Sequence, residues 1–336
     1  QYANVQYPWE GHEELHPGQI PERFNPVGSY VKYFHVPENM KGKRVFISFQ
    51  GAESGLALWL NGTFVGYSED SFTPSEFELT EYLKEGENKL AAQVFKWTAS
   101  SWCEDQDFFR FSGIYRDVYL YTVPEVHVYD LKIRAIPDET LEKASLEIVT
   151  KTWGKGKLKL TLSRKGEILL QDEKALDGED TCTWEILNPL LWSAEEPNLY
   201  DLDMEVYDEN GMLQEIIPEK VGFRRFEMKD GIMTLNGKRI VFKGVNRHEF
   251  SSVTGRHVSR EELIQDIVTM KQNNINAIRT CHYPDASPIY RLCDEYGLYM
   301  IAENNLESHG SWDVAELTGD YTDIVPHNKP EWLGMM

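Results

Sequence analysis

Hydrophobic and polar positions alternate along the first part of the chain, which predicts a β-rich domain over residues 1–123. Val45 and Ile47 fall on one side of a predicted strand. Asn61-Gly62 separates two β-rich runs, and because both residues tolerate the positive φ of a type I′ turn, a hairpin is expected there. Many short strands with turn signals between them favour a jelly-roll β-sandwich.

A second β-rich stretch begins at Pro124 and extends over residues 124–228. Gly and Asp/Asn clusters separate its predicted strands, which cover residues 125–136, 145–152, 157–163 and 199–207. This spacing fits an immunoglobulin-like β-sandwich, although the Cys…Trp…Cys pattern of true immunoglobulin domains is absent.

From residue 229 to residue 336 the pattern changes to alternating strands and helices. The predicted elements are a hairpin at Asn236-Gly237, a strand over 239–245, a helix with a Ser259/Glu262 capping box, a strand over 276–280, a helix from Pro288 that ends before Gly297, and a strand over 298–302. The last strand is continuously apolar, as expected for a parallel strand buried on both faces. This order opens either a TIM (β/α)₈ barrel or a doubly wound sheet, and we expect neither to be complete at residue 336.

Polar clusters that each contain a histidine follow the three strands of this domain, at residues 246–249, 279–283 and 304–309. In a (β/α)₈ barrel, the C-terminal ends of the strands point into the active site. A single histidine of this kind is ordinarily structural, but three in succession favour a functional site. Glu307 and His309 share one face of an extended chain, where they either hold a divalent ion or hydrogen-bond to each other.

An acidic segment, residues 104–107, lies between two groups of aromatic residues in the first domain. Carboxylates accept hydrogen bonds from sugar hydroxyls and aromatic rings stack on sugar faces, so the segment is a candidate sugar-binding loop. The alternative is a solvated acidic loop, which is the ordinary reading of a charge run.

Composition limits the class of protein. The chain has 336 residues, a net charge of -21 and 41% hydrophobic residues, which predicts two or three folded domains and disfavours a nucleic-acid partner. No apolar run is long enough for a membrane span, and residues 1–10 do not have the basic region and apolar run of a signal peptide. The four cysteines are scattered, which favours reduced thiols and a cytoplasmic location.

Several of these segments resemble glycoside hydrolase family two, and in particular its large bacterial β-galactosidases. The resemblance covers nearly the whole chain, and its motifs are residues 4–8, 104–107, 112–118, 244–249, 276–301 and 305–310. It implies a jelly-roll sugar-binding domain, an immunoglobulin-like domain and the start of a TIM barrel. It also implies hydrolysis of terminal β-D-galactose residues with retention, Mg²⁺ and Na⁺ as cofactors, and a homo-oligomer.

The resemblance also assigns roles to individual residues. Glu307 and His309 match the magnesium ligands, and His248 and His282 match histidines that stabilise the transition state by contacting galactose hydroxyls. The remaining matches are Asp107, which contacts both galactose and Na⁺, Asn4, which contacts galactose, and Arg279, an arginine of the active-site wall that orients the nucleophile.

The motifs of the acid/base and nucleophilic glutamates do not occur in this sequence. We therefore expect a chain truncated at both ends and inactive alone. Glu303 and Glu307 are not assigned as the catalytic pair, because retention requires carboxyls about 5 Å apart and an extended strand would separate these two by roughly 13 Å. Two alternatives remain open: a carbohydrate-binding or complementing fragment of a split enzyme, and a β-glucuronidase-type hydrolase.

Overall fold

The computed structural model describes residues 7, 9, 10, 12–106, 108–322, 324–326 and 329–335. These residues form two β-sandwiches followed by an α/β unit, which confirms the predicted fold class. All four cysteines are free and buried. None of the helices in the described part of the chain is long and apolar enough to cross a bilayer.

The first sandwich packs one sheet of four strands, in the order β1-β7-β4-β5, against another of three strands, in the order β10-β2-β6. Its strands are β1 (Val27–His35), β2 (Arg44–Phe49), β3 (Ala52–Glu53), β4 (Gly55–Leu60), β5 (Thr63–Ser68), β6 (Ser75–Glu78), β7 (Glu87–Phe95), β8 (Glu104–Asp105), β9 (Gly113–Ile114) and β10 (Val118–Val123). Short 3₁₀ helices cover Glu38–Met40, Thr80–Tyr82 and Ala99–Trp102. Ile47 of one sheet and Leu58 of the other lie in a shared apolar core.

The predicted hairpin at Asn61-Gly62 is confirmed. Asn61 (φ 54°) and Gly62 (φ 87°) both have positive φ between β4 and β5, as a type I′ turn requires.

The second sandwich is built around two long antiparallel strands. Its strands are β11 (His127–Pro137), β12 (Lys143–Arg164), β13 (Glu167–Leu187), β14 (Tyr200–Asp208) and β15 (Leu213–Val221). The first half of β12 pairs with β11 and the second half pairs with β14, with a register shift between Lys151 and Lys155. Leu146 and Leu160, from the two halves, lie in one core, so the long strands contribute to both layers. The prediction of two separate strands here is wrong, because the chain continues through Gly154 (φ +81°) without a turn.

The last unit begins with a three-stranded meander and continues as parallel βαβαβ. Its elements are β16 (Phe226–Lys229), β17 (Ile232–Leu235), β18 (Lys238–Arg239), β19 (Gly244–Arg247), α1 (Arg260–Gln272), β20 (Ala277–Thr280), α2 (Pro288–Tyr296), β21 (Tyr299–Ile301), β22 (Glu307–Ser308), α3 (His309–Thr318) and a 3₁₀ helix, Pro330–Met335. The capping box at Ser259 and Glu262 is present, and Gly297 ends α2 at φ 77°. A Cβ at Gly297 would lie 2.4 Å from the Ala194 carbonyl oxygen, so close packing against the second sandwich also requires glycine.

Two strand predictions for this unit are wrong in detail. Residues 239–245 do not form one strand, because Arg239 pairs back with β17 whereas β19 begins only at Gly244, where it pairs with β20. The strand near 298–302 is not buried on both faces. Ile301 is 50% exposed, because β21 lies at the edge of the three-stranded parallel sheet.

Candidate active site

Charged and aromatic side chains gather where the parallel strands β19, β20 and β21 end. His248 directly follows β19, Arg279 lies in β20, and His282 lies two residues beyond β20. Because adjacent parallel strands end at the same sheet edge, the rings of His248 and His282 approach to 5.5 Å between centroids. The predicted convergence of the strand-end residues is therefore observed for these three side chains.

His248 is held by an aromatic ring from the first sandwich. The Phe108 ring stacks on the imidazole at 4.1 Å between centroids with an interplanar angle of 3°. On the same imidazole, Nδ1 lies 3.3 Å from the Tyr283 hydroxyl, which also accepts a hydrogen bond from the Glu249 backbone N–H. These contacts fix the ring plane, so the site is built jointly by the first sandwich and the α/β unit.

Arg279, His282 and Glu303 form a connected cluster. The Arg279 guanidinium donates through Nε to Glu303 Oε1 and lies 3.2 Å from His282 Nδ1 through its NH2 group. The Glu303 backbone N–H is fixed by the Thr280 hydroxyl. Sequence reasoning missed the role of Glu303, although its position just after the last predicted strand was an available signal.

Glu307 lies between two imidazoles. Its Oε2 is 3.3 Å from His282 Nδ1, and its Oε1 is 3.3 Å from His309 Nδ1. The premise of an extended chain is wrong here, because β22 ends at Ser308 and His309 begins α3. The two side chains nevertheless lie close enough to act on one ligand.

The expected strand-like separation of Glu303 and Glu307 is also wrong. Both carboxylates approach the same nitrogen, His282 Nδ1, at 3.5 and 3.3 Å, because β21 ends at Ile301 and the chain bends before β22. Glu303 is engaged by Arg279 and His282 and thus holds the imidazole in place.

The acidic segment 104–106 faces inward and does not form a solvated loop. Glu104 accepts hydrogen bonds from the backbone N–H and the hydroxyl of Ser71 and from Asn305 Nδ2. Asp105 Oδ2 accepts from the Trp9 indole and from the Gly310 backbone N–H at 2.6 Å. The carboxyl groups of Glu104 and Asp105 therefore accept hydrogen bonds from other parts of the protein. The other two predicted sugar contacts, Asn4 and Asp107, lie outside the described residues.

A short parallel ladder joins this segment to the candidate metal ligand. β8 pairs with β22, which places Glu307 opposite Glu104 and Ser308 opposite Asp105. A Cβ at Gly310 would lie 2.2 Å from the Trp9 indole nitrogen and 2.6 Å from Asp105 Oδ2, so glycine is required where the two segments meet. The position of Glu307 therefore depends on the first sandwich as well as on the α/β unit.

Burial raises the pKa of Glu104 to about 8, because water is removed from its carboxyl group. The folded chain then binds this proton more tightly than the unfolded chain, in which the value is near 4.5. The contribution to stability is present below pH 4.5 and is lost as the pH rises to about 8.

We therefore expect Glu104→Gln to stabilise the protein by about 2–3 kcal/mol at pH 8.5 and to have little effect at pH 5, as measured by thermal unfolding across this range. The exposed Glu87→Gln is the matched control and should leave the pH dependence unchanged. An equal effect of Glu104→Gln at both pH values would contradict this assignment.

Comparison with known proteins places the three parts of the chain in one family. Three family models match: the glycosyl hydrolases family 2 sugar binding domain over residues 1–124, glycosyl hydrolases family 2 over 126–224, and the glycosyl hydrolases family 2 TIM barrel domain over 226–336. The chain belongs to glycosyl hydrolase family 2. The domain boundaries after residues 123 and 228 remain predictions from the sequence.

Proteins named β-galactosidase are among the family 2 relatives of this chain. Those of Halalkalibacterium halodurans and Streptococcus thermophilus are each 52% identical to it over 99% of its length. The β-galactosidase large subunit of Leuconostoc lactis is 45% identical, also over 99%. The chain spans about a third of the first two proteins (33% of each) and 55% of the third.

Solved structures of similar fold include β-glucuronidases. That of Bifidobacterium dentium with coumarin-3-O-glucuronide has a TM-score of 0.77 at 23% identity and covers 83% of this chain and 53% of its own. Bacteroides uniformis β-glucuronidase 2, bound covalently to cyclophellitol-6-carboxylate aziridine, has a TM-score of 0.72 at 27% identity. The match covers 84% of this chain and 37% of the β-glucuronidase chain. The first likeness bears on the fold alone.

Proposed function

We propose that this chain supplies the sugar-binding and metal-binding side of a β-galactosidase, which releases terminal β-D-galactose from β-galactosides with retention. The observation that carries the proposal is the convergence of His248, His282 and Glu307 at the strand ends of a family 2 barrel domain. Relatives with this name at about 50% identity over the whole chain support it.

In this proposal His248 and His282 donate hydrogen bonds to galactose hydroxyls. Because Phe108 and Tyr283 fix one ring and Arg279 and Glu303 fix the other, neither imidazole needs to reorganise as charge develops on the sugar. Donors that bind more tightly in the transition state than in the ground state accelerate the chemistry. Arg279 acts through His282 and Glu303, which makes it a positioning residue.

Glu307 and His309 fit a site for Mg²⁺. Glu307 Oε2 is buried and makes no hydrogen bond to any residue in the described part of the chain, and such an orphaned carboxylate oxygen suits a hard cation. His309 is more than half exposed (54%), so its imidazole is accessible to the same ion. A bound Mg²⁺ would supply positive charge beside the sugar site.

Glu307→Gln should weaken Mg²⁺ binding about 10–100-fold or more, because it removes a charged ligand. Mn²⁺ binding followed by electron paramagnetic resonance measures this without an activity assay. Glu316→Gln, on the exposed side of α3, is the matched control and should bind normally. Equal Mn²⁺ affinity in the two variants would remove Glu307 from the metal site.

The Na⁺ site and the remaining sugar contacts rest on Asp107 and Asn4. The residues on either side of Asp107 in the sequence contact the α/β unit: Phe108 stacks on His248, and Gln106 Nε2 donates to Asn305 Oδ1. The proposal therefore assigns Asp107 to both Na⁺ and galactose, and Asn4 to galactose.

The second candidate function is β-glucuronidase, which is favoured by the likeness to Bacteroides uniformis β-glucuronidase 2. An anionic glucuronide would meet the carboxylates Glu303 and Glu307, and Arg279 is already paired with one of them. Full-length protein assayed on chromogenic β-galactoside and β-glucuronide should prefer the galactoside in kcat/KM by at least about 100-fold, since like charges in contact cost several kcal/mol. Preference for the glucuronide would reverse the assignment.

The same assay tests the proposal that this chain acts as a fragment. We expect no turnover by the 336-residue chain alone and turnover when a polypeptide that supplies the rest of the barrel is added. Turnover by the chain alone would overturn the view that the catalytic carboxylates lie elsewhere. Relatives named large subunits support an assembly with a second kind of chain, and a homo-oligomer of the full-length enzyme stays the simpler proposal.

A further inference from the structure

His248, Cys281 and His282 form a side-chain cluster that the proposed galactosidase chemistry does not fully use. One ligand atom from each of the three residues can be chosen so that all lie within 4.8 Å of one another. The register explains this proximity. Arg247 of β19 pairs with Thr280 of β20, so the residues that follow, His248 and Cys281, leave the sheet side by side.

We propose that His248, Cys281 and His282 bind a borderline-soft divalent cation, Zn²⁺, at a site separate from the Mg²⁺ ligands Glu307 and His309. Two imidazoles and a thiolate are the donors that Zn²⁺ prefers, whereas Mg²⁺ prefers oxygen. Water completes a tetrahedral set, and the Cys281 thiol loses its proton to solvent as its sulfur coordinates the ion.

The geometry needs only a small adjustment. In a tetrahedral zinc site with bonds of about 2.0–2.3 Å, neighbouring ligand atoms lie roughly 3.3–3.6 Å apart, so the separations between the three ligand atoms must shorten by at most about 1.5 Å. Cys281 is buried at the end of β20, and its backbone N–H donates to the Arg247 carbonyl oxygen at 3.1 Å. The imidazoles of His248 and His282 are only half-buried, so an ion from solvent can reach them.

One ring nitrogen of His282 is occupied by neighbouring side chains. His282 Nδ1 lies 3.2 Å from the Arg279 guanidinium and 3.5 Å from Glu303 Oε2, and outer contacts of this kind orient a metal-binding imidazole. The nitrogen that would face the ion is therefore Nε2.

Zinc at this site would occupy the two imidazoles that the proposed function assigns to galactose hydroxyls. Zn²⁺ and galactoside should therefore exclude each other. This consequence rests on the proposed function, whereas the metal site itself does not.

Co²⁺ tests the site as a spectroscopic substitute for Zn²⁺. The full chain, in buffer with excess Mg²⁺, should bind Co²⁺ with a sulfur-to-cobalt charge-transfer band that Zn²⁺ abolishes by displacement. Cys281→Ser should lose the band and weaken Zn²⁺ binding by about 100-fold or more, since loss of an outer partner alone costs about 10–100-fold. Cys293→Ser, a buried thiol in α2, is the matched control and should keep the band.

The proposal is overturned if the wild-type chain shows no such band, or if the band survives in Cys281→Ser. Circular dichroism tests whether Cys281→Ser folds. If it does not fold, His248→Gln takes its place as the test variant. His248→Gln should bind Co²⁺ at least 10-fold more weakly than the wild-type chain, and an unchanged affinity overturns the proposal.

Isopropyl thio-β-galactoside tests the consequence for the sugar. A saturating amount should lower the apparent Co²⁺ affinity of the wild-type chain at least 10-fold, and an unchanged affinity overturns mutual exclusion. A chain that binds Co²⁺ through Cys281 but does not bind the galactoside supports the metal site and counts against the proposed function.

Discussion

Replacing His248 with phenylalanine in the full-length protein should lower turnover of a β-galactoside about 10²–10³-fold, the usual effect of removing one preorganised donor. Phenylalanine keeps an aromatic ring against Phe108, which stacks on the imidazole with an interplanar angle of 3°. The loss therefore reports on the imidazole nitrogens and not on packing. Because the contact is expected to tighten in the transition state, kcat and kcat/KM should fall together.

His35→Phe is the control for this variant, because His35 is an exposed residue at the end of β1. It should turn over the galactoside at the wild-type rate. If His248→Phe turns over the β-galactoside within two-fold of the wild-type rate, His248 has no role in the proposed mechanism, whatever the result for the metal ligands.

The second large effect concerns stability, at the buried ion pair that joins the first sandwich to the α/β unit. Arg116 NH2 lies 2.5 Å from Glu249 Oε2, and the two side chains are only 9% and 2% exposed. Arg116→Met should destabilise the protein by about 3–5 kcal/mol, because it leaves the Glu249 carboxylate buried without its partner. Thermal unfolding measures the loss.

Arg44→Met is the matched control. Arg44 also donates twice to one carboxylate, that of Glu78, but both side chains are exposed (47% and 37%), so this change should cost less than about 1 kcal/mol. Glu249→Gln added to Arg116→Met should recover part of the stability, because it removes the buried charge. Equal losses of stability in Arg116→Met and Arg44→Met would show that burial does not increase the contribution of the Arg116–Glu249 pair to stability.

The features that could be predicted from sequence depend on a few neighbouring residues. The positive φ of Asn61-Gly62 and the reciprocal hydrogen bonds of Ser259 and Glu262 are local chemistry, and both predictions are confirmed. The convergence of His248 and His282 also followed from sequence, because the order of strands and helices determines which strand ends meet.

The features that could not be predicted depend on distant parts of the chain. β13 has few buried apolar residues, among them Leu176 and Cys182, and forms because it pairs along β12 for nearly its whole length. Pairing of this kind outweighs local propensity. In the same way, Glu307 reaches His282 because a ladder with β8 positions β22, and no spacing within residues 303–309 encodes that contact.

The inward orientation of Glu104 and Asp105 shows why an acidic run was misleading. As a sequence, the run was compatible with a sugar-binding loop or a solvated face. In the structure both carboxylates accept hydrogen bonds from backbone N–H groups, of Ser71 and Gly310 respectively. These donors lie far from the run in sequence, so the partners could not be read from composition.

The ladder between β8 and β22 also sets an order of assembly. The hydrogen bond from Gly310 to Asp105 closes a separation of 205 residues, and all of the second sandwich lies within that span. During synthesis the two sandwiches emerge first and can fold as units, whereas the segment that carries Glu307 arrives only after β21. The candidate metal ligand is thus among the last parts of the site to be placed, and the first sandwich serves as the template on which it docks.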